Sequence, residues 1–433
     1  MQGKFLKSLR KTLQNCIHEL DYIHSLFVQN PNADFTRNRK ITFSDTCWFL
    51  IGLQGKSMPN EVLDFFDHSV SAPTSSAFIQ QRKKILTEAW DFLFHLFEQA
   101  NSPLSDISQY GFHIYACDGS DDNICRNPDD EETFIHEGEK GYNAIHINAL
   151  YDLLNHNYHD VIFQGKKKLH ERSAFNTMVD RYQGPAAIFI ADRGYESFNT
   201  FAHVIQAGQK FLIRMKDIES NGILGTYDLP DDAFDTFIET TLTRRHTKET
   251  LGHPEIYTIL PPKTDFDFLD ENTQYFKISF RIVRFKVTSG YVCVATNLSE
   301  EDFPPDLLRD LYRLRWDEES SFRELKYTIG LVNFHSRIKE LILQEIYARL
   351  ILYNFCELIV SHTVVQTRRE TKHSYKINFA TAVNICKEYL KHGGGETEKM
   401  LLIQKHLTPI RPDRQYPLKL RPKRNRDFMY RAA

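Results

Sequence analysis

The most informative stretch of this chain spans positions 312 to 326 and reads Tyr312-Arg313-Leu314-Arg315-Trp316-Asp317-Glu318-Glu319-Ser320-Ser321-Phe322-Arg323-Glu324-Leu325-Lys326. It contains neither proline nor glycine, which predicts a helix. At about 100° per residue, steps of three, four and seven positions return to one helix face. One stripe therefore carries a phenol, a guanidinium, a carboxylate and an ammonium: Tyr312, Arg315, Glu319 and Lys326. A carboxylate flanked by cations suits a polyanion that needs a metal at one point and charge clamps beside it.

Two aspartates stand directly after short apolar runs. Asp118 follows Ile114-Tyr115-Ala116-Cys117 and precedes Gly119, and Asp192 follows Ala187-Ile188-Phe189-Ile190-Ala191 and precedes Arg193-Gly194-Tyr195. A carboxylate at the end of a buried strand points out of the sheet edge at a fixed place. Two such aspartates and Glu319 could converge on divalent cations, since Mg²⁺ prefers oxygen ligands. Each aspartate could instead cap the turn or helix that follows it.

The spacing Y-(2)-R-(3)-E-(6)-K, with Asp-Gly-Ser and Asp-Arg-Gly-Tyr before it, resembles the signature of bacterial insertion-sequence DDE transposases, the group founded on insertion sequence 4. The resemblance implies a catalytic, metal-binding triad and a set of side chains that bind DNA phosphates near the scissile bond. The implied triad is Asp118, Asp192 and Glu319, and the implied DNA contacts are Tyr312, Arg315, Arg323 and Lys326. For any one of the charged residues, the alternative is the solvated face of an amphipathic helix.

The same resemblance implies the cofactor and the partners. The cofactor would be Mg²⁺, for which Mn²⁺ may substitute, and in a two-metal scheme one cation activates water or a 3′-hydroxyl while the other stabilises the leaving oxygen. The partners would be double-stranded DNA, both transposon ends and target, and a second copy of the chain in an end-bound homodimer. No covalent enzyme intermediate is required, so no nucleophilic serine or cysteine is expected.

Two features depart from that group. Some of its members stack a flipped base on a tryptophan of an inserted domain, but residues 217–299 contain no tryptophan. Either the route through a DNA hairpin differs or another aromatic side chain takes that role, the candidates being Tyr275, Phe276 and Phe280. The segment after Asp118 is also acidic, beginning with Asp121 and Asp122. Since anions repel phosphate, we expect this segment to be a solvated loop directed away from DNA.

Composition limits the class of protein. The chain has 433 residues, 41% of them hydrophobic, which predicts several domains. Lys+Arg 54 against Asp+Glu 57 gives a formal charge of -3, so DNA binding would rest on local basic patches. Seven cysteines without a C-x-x-C pair argue against a zinc site or a disulfide framework. Without a signal peptide or a long apolar run, we expect a cytoplasmic, nucleoid-associated protein with no membrane contact.

Residues 1–108 are predicted to form a helical N-terminal DNA-binding domain. Within it, residues 75–84 follow a turn and carry glutamine, arginine and lysine. Two short helices of this kind are compatible with a helix-turn-helix reader of DNA, or with a packing domain that has a polar outer face. The residues alone leave both readings open, and the resemblance favours DNA binding.

From position 109 the pattern changes to an α/β alternation. Strands are predicted at 112–117, 142–150, 160–163, 186–191 and 211–215, with helices at 172–181 and 197–207. This order resembles an RNase H-like mixed sheet flanked by helices. It predicts a core formed by residues 109–216 and 300–365, the second part carrying the Glu319 helix. Residues 217–299 are predicted as a β-rich insertion, and residues 366–433 as a helical C-terminal region with a basic tail from Arg411.

The function these features favour is cut-and-paste DNA transposition: binding of element ends, metal-dependent phosphodiester cleavage and strand transfer. One alternative is a domesticated RNase H-like endonuclease, which would cleave without strand transfer. Another is a non-catalytic repressor derived from a transposase, against which the presence of all three carboxylates argues. A glycosidase with paired carboxylates would leave the cationic stripe unexplained.

Overall fold

The computed structural model describes residues 2–37, 39–137, 140–287, 290–331, 333–363, 374–410 and 429–430. In the described part of the chain, helices precede the sheet, flank it and follow it. They are α1 (Gln2–Tyr22), α2 (Phe43–Ile51), α3 (Met58–Phe65), α4 (Ser75–Arg82), α5 (Glu88–Asn101), α6 (Glu171–Asp180), α7 (Phe198–Gln206), α8 (Lys248–Gly252), α9 (Pro305–Leu314), α10 (Trp316–Glu324), α11 (Lys339–Ser361), α12 (Phe379–His392) and α13 (Glu396–Lys405).

The strands occupy the middle of the chain, with short pairs after it. They are β1 (His113–Ile124), β2 (Phe134–Ile135), β3 (Tyr142–Asp152), β4 (Asn157–Gly165), β5 (Ala187–Ala191), β6 (Lys210–Met215), β7 (Phe234–Thr243), β8 (Tyr257–Ile259), β9 (Tyr275–Val287), β10 (Gly290–Thr296), β11 (Asn333–Phe334), β12 (Tyr375–Ile377), β13 (Leu407–Pro409) and β14 (Met429–Tyr430).

One mixed sheet organises the molecule, with strand order β2-β3-β1-β5-β6-β10-β9-β7-β8 and β4 paired to β3. Strands β1, β3 and β4 are antiparallel neighbours, whereas β5 and β6 run parallel to β1. The order β4-β3-β1-β5-β6 is that of an RNase H-like core. The predicted α/β fold class is therefore confirmed.

The sheet is covered on both faces, because successive side chains of a strand point to opposite sides. Strand β1 sends Ile114 and Ala116 into a core shared with α5 and α11, and Tyr115 and Cys117 into a core shared with α6 and α7. Burial on both faces explains why β1 and β5 read as unbroken apolar runs rather than as alternating patterns.

The expectation that β1 ends at Asp118 is wrong. Pairing of β1 with β5 stops at Cys117 opposite Ala191, but pairing with β3 continues as far as Ile124. Asp118 thus lies in mid-strand, where β1 leaves its parallel neighbour. The segment that follows is not wholly a solvated loop either, since Asp122 is buried at 6% exposure. The backbone of this segment is hydrogen-bonded to β3, and the Asp122 carboxylate forms an ion pair with Lys326 at 3.1 Å.

The segment predicted as a β-rich insertion contains four strands, β7 to β10, and one short helix, α8. These strands extend the central sheet, because β10 pairs antiparallel with β6 and continues through β9 to β7. The insertion therefore shares its hydrogen-bonded framework with the strands of the core.

The N-terminal helices pack onto α11 through α2 and α5, and the end of α4 reaches α11 through one side chain. Thr74 caps α4 by accepting a hydrogen bond from the Ala77 amide. Arg82, at the end of that helix, is 1% exposed and donates to Gln344 at 3.0 Å and Glu345 at 2.9 Å. The arginine of the predicted reader helix thus serves packing, which supports the packing interpretation for that side chain.

Two further sequence expectations concern the tail and the membrane. The basic tail from Arg411 lies outside the described residues, apart from the backbone of 429–430. Among the helices that the structure describes, none has both the length and the apolar character needed to span a bilayer.

Candidate active site

The segment that carries Glu319 consists of two consecutive helices, the first of which begins at Pro305. Helix α9 ends at Leu314 and α10 begins at Trp316, with Arg315 in helical conformation between them (φ -50°, ψ -31°). A π-helical turn follows from Leu325 to Ile329 and ends at Gly330, whose φ of 101° favours glycine. The stripe predicted from the sequence survives these irregularities in its first part, where Arg315 and Glu319 are one turn apart.

Arg315 joins two of the three predicted carboxylates. Its Nη1 donates to Asp118 Oδ2 at 3.2 Å, and its Nη2 donates to Glu319 Oε1 at 3.0 Å. The arginine side chain is 8% exposed, whereas the side chains of Asp118 and Glu319 are 26% and 42% exposed. The helix-borne glutamate and the strand-borne aspartate therefore lie on the same side of the sheet, on either side of one guanidinium.

Asp192 follows the last residue of β5, one strand away from Asp118. Its Oδ1 accepts the Gly194 amide at 2.7 Å, as Asp118 Oδ1 accepts the Gly119 amide at 2.8 Å. Burial raises the pKa of Asp118, and the negative charges of Asp192 and Glu319 raise that pKa further, while the Gly119 amide and Arg315 lower it. Asp118 is thus close enough to the other two predicted acids to be influenced by their charges.

The three acids are not gathered around a single point. Among the described residues, no group of three or more His, Cys, Asp or Glu side chains is arranged to hold a metal ion. The chemistry of the donor set nevertheless fits a hard divalent cation, because carboxylate oxygens are its preferred ligands. The positive charge beside Asp118 and Glu319 in this structure comes from Arg315, which donates to both carboxylates.

The residues predicted to bind DNA have different environments. Tyr312 is buried, and its hydroxyl finds no hydrogen-bond partner within the described part of the chain. Lys326 donates to the Asp121 carbonyl at 2.8 Å and pairs with Asp122 at 3.1 Å. Arg323 is exposed and lies 3.5 Å from the Ser320 hydroxyl. Arg315 and Lys326 are therefore both engaged with acidic residues of their own chain.

Glu318 is a neighbour of the site that the spacing argument missed. It is fully buried, and neither carboxylate oxygen has a hydrogen-bond partner among the described residues. Burial raises the pKa of Glu318 well above its ordinary value, and the charge of Asp118 adds to this rise. Its position three residues after Arg315, on the same helix face, was the signal that could have identified it.

The spacing argument also missed His146 and Glu171, which lie beside the glycines of the two aspartate motifs. The ring of His146 lies between Asp121 and Glu171, with Nε2 at 3.1 Å from Glu171 Oε1. A Cβ on Gly119 would clash with that ring, and one on Gly194 would lie 3.9 Å from Glu171 Oε2. Glu171 is therefore adjacent to both motif glycines. The glycines themselves were the available signal, because close approach of another group is one reason to have no side chain.

Helix α6 also fixes the second motif directly. Arg172 follows Glu171 in the chain, and its Nε donates to the Gly194 carbonyl at 2.8 Å. The first turn of α6 thus contacts the loop that follows Asp192 and lies against the strand that carries Asp118. Helix α6 therefore contacts the glycines that follow the two aspartates, although it carries no residue of the predicted triad.

Comparisons with known proteins identify the family of the chain. Residues 110–355, more than half of the chain, match the family model described as "Transposase DDE domain". No curated protein matches the chain. A solved structure that matches is a piggyBac transposase synaptic complex with hairpin DNA, at 10% identity and a TM-score of 0.45, over 92% of this chain and 81% of that chain. A likeness of that size is too low to bear on function.

Proposed function

This chain belongs to the DDE transposase family, whose members cut and join DNA strands, and from that premise we propose that it is a cut-and-paste transposase of the insertion sequence 4-like signature group. One observation carries the assignment of the site. The glutamate of the Y-(2)-R-(3)-E-(6)-K helix and the aspartate of the Asp-Gly-Ser motif share one guanidinium, although 197 residues separate Asp118 from Arg315.

The proposed catalytic triad is Asp118, Asp192 and Glu319, which together would hold divalent cations. Mg²⁺ suits three carboxylates, and Mn²⁺ has similar ligand preferences. When bound, such cations supply a nucleophilic oxygen and stabilise charge on the leaving oxygen. The residues of this chain fix the positions of the three acids: Gly119 and Gly194 donate to the two aspartates, and helix α10 presents Glu319.

The proposed DNA contacts are Arg315, Arg323 and Lys326, with Tyr312 beside them. Cations at these positions would neutralise phosphates next to the scissile bond and orient the backbone. Because the formal charge of the whole chain is -3, DNA affinity would depend on such local clusters. Two DNA ends cut in concert require two active sites, so we propose a homodimer in the end-bound complex.

The regions outside the matched residues have proposed roles as well. Residues 1–108 would bind element ends, through surfaces other than the buried Arg82. Residues 217–299 form the inserted unit, and residues 300–365 return the chain to the core. Residues 366–433 would add nonspecific phosphate contacts through the basic tail.

The test is cleavage of DNA from the element's own ends by the full chain in Mg²⁺. Wild type should produce defined 3′-hydroxyl ends and join them to a target. Glu319→Gln keeps size but removes the ligating charge, so cleavage should fall about a thousandfold or more while end binding survives. Exposed Glu301→Gln is the matched control and should cut normally.

Three results would contradict the proposal. Undiminished cutting by Glu319→Gln would remove the catalytic assignment. Cleavage without joining would favour the endonuclease alternative, and DNA binding without either activity would favour the repressor.

A further inference from the structure

We propose that Arg315 is the internal counter-cation of the catalytic carboxylates: it must release Asp118 and Glu319 before a divalent cation binds them, and once released it contacts DNA phosphate. The inference rests on the proposed function, since it concerns the same metal-binding acids. It assigns to one residue two successive partners, first the acids of its own chain and then the substrate.

The contacts of Arg315 make the competition direct. Its two terminal nitrogens donate to one oxygen of Asp118 and one oxygen of Glu319. A cation ligated by these carboxylates would draw on the same negative charge and the same oxygens, so the arginine and the metal compete at both acids. Because a guanidinium stays protonated at every accessible pH, only displacement can remove it from the site.

Two aromatic rings near Arg315 offer its guanidinium an alternative contact once it leaves the carboxylates. Its guanidinium lies 5.9 Å from the ring of Tyr312 and 5.2 Å from the ring of Trp316. Trp316 is 56% exposed, so its ring borders solvent beside the site. A guanidinium that leaves the carboxylates can remain against this exposed ring through a cation–π contact, within reach of a DNA backbone.

While Arg315 contacts Asp118 and Glu319, its own hydrogen-bonding capacity is not fully used. Arg315 Nε is buried and has no hydrogen-bond partner among the described residues. Both acceptor carboxylates are partly exposed, at 26% for Asp118 and 42% for Glu319, so a cation can reach them from solvent. A divalent cation can therefore replace Arg315 at Asp118, at Glu319 or at both.

Exchange of this kind couples two binding events. Metal binding frees Arg315 for phosphate, and phosphate draws Arg315 away from the acids that bind metal. By thermodynamic reciprocity, each ligand must raise the affinity for the other by the same factor. Cleavage chemistry would then be assembled only where a DNA end is present.

The experiment measures Mn²⁺ binding to the full chain without DNA, by the loss of the free-ion electron paramagnetic resonance signal. Arg315→Ala removes the competitor and should bind Mn²⁺ about tenfold more tightly than wild type. Arg315→Lys keeps a charge but replaces the two-nitrogen fork by a single ammonium on a shorter reach, so it should fall between the two. The matched control is Arg313→Ala, an exposed neighbour paired with Asp310, which should leave Mn²⁺ affinity unchanged.

A second measurement separates this role from a structural one. Affinity for element-end DNA should fall in Arg315→Ala, opposite in sign to the gain in metal affinity, whereas loss of folding would weaken both. In wild type, non-catalytic Ca²⁺ should tighten DNA binding, and in Arg315→Ala this enhancement should disappear.

The outcomes distinguish the inference from its premise. If Asp118→Asn abolishes Mn²⁺ binding but Arg315→Ala and Arg315→Lys bind no more tightly than wild type, the counter-cation role is wrong and the metal site stands. If wild type binds no Mn²⁺, or Asp118→Asn and Glu319→Gln bind it equally well, the proposed metal site itself is wrong.

Discussion

Charge balance at single residues determines the state of this site. Asp118, Asp192 and Glu319 bring negative charge together, and Glu318 lies buried behind them. The raised pKa of Glu318 favours its neutral form, so this fourth acid adds little charge. Arg315 is the cation that contacts two of the acids. Small changes at that one position should therefore alter what the site binds.

Lys326 offers a test of the DNA contacts at the same scale. If it reaches a phosphate in the complex, Lys326→Ala should reduce the salt dependence of DNA binding by about one unit of log–log slope. The measurement is affinity for end DNA across a series of salt concentrations. Lys277→Ala, an exposed lysine on β9, should leave the slope unchanged.

An unchanged slope in Lys326→Ala would assign this lysine solely to Asp122, its partner in the free protein. Because loss of the lysine leaves Asp122 buried and unpaired, Lys326→Ala/Asp122→Asn should be measured beside the single variant. Equal slopes in both variants would show that the effect comes from the lysine.

Some of these residue contacts follow from sequence and others do not. The Arg315–Glu319 pair is one helical turn long, so the 3.6-residue period predicts it. The Arg315–Asp118 contact spans 197 residues and depends on how the helix packs on the sheet. Local spacing carries no information about such packing, and for the same reason His146 and Glu171 were missed.

Among the elements, the start of helix α6 packs against both motif glycines, so a change at either glycine should displace its neighbours. Gly119→Ala would drive a methyl group into the His146 ring, which is held by Asp121 and Glu171. We expect a stability loss of about 1–3 kcal/mol and at least a tenfold loss of cleavage, because the displaced strand carries Asp118. The measurements are the free energy of unfolding and the cleavage rate.

The obstacle can be removed to check this explanation. Gly119→Ala/His146→Ala should be more active and more stable than Gly119→Ala alone. Gly252→Ala is the control, since an added Cβ there meets no atom within 4 Å, and it should change stability by at most about 0.5 kcal/mol. Failure of the double variant to recover would place the constraint outside His146.

Element boundaries were predictable where the pattern is local. Strand β9 spans Tyr275–Val287, as its alternating sequence predicts. Strand β1 runs past its apolar part because β3 supplies a partner for its polar end, and the sequence of β1 alone does not contain that partner. The break at Arg315 and the π-turn after Glu324 are likewise products of packing, within a sequence that favours one continuous helix.

For the whole molecule, one buried carboxyl on helix α11 contributes to the dependence of stability on pH. Burial, with the charge of Glu324, raises the pKa of Glu357 from 4.5 to about 8. Glu357 therefore contributes its full stability below pH 4.5, and this contribution is lost as the pH rises through 8. The loss would be on the order of 5 kcal/mol.

Glu357→Gln removes this titration, so its free energy of unfolding should fall less than that of wild type between pH 5 and pH 8. Denaturant unfolding at both pH values measures the difference. Glu340→Gln, exposed at the start of the same helix, should follow the wild-type profile. Identical profiles for wild type and Glu357→Gln would show that this carboxyl is already ionised in the folded protein.

At this scale the RNase H-like strand order was predictable, because strands and helices alternate clearly along residues 109–216. The place of the insertion in the same sheet was not, since pairing of β10 with β6 depends on edges that no single segment reveals. The roles of the flanking regions remain predictions.

The Arg82–Glu345 pair has a consequence for where the DNA is cut. It is buried at both ends, with side chains 1% exposed, and the Glu345 carboxylate also accepts from the backbone of His335. Removing either partner of this contact between the N-terminal helices and α11 would leave the other charge buried without its counter-ion, at a cost of about 3–5 kcal/mol. On the proposed function, those helices hold the element end while the sheet holds the scissile bond. The pair would then fix the distance between the N-terminal helices and the sheet, and with it the number of base pairs between the recognised sequence and the nick.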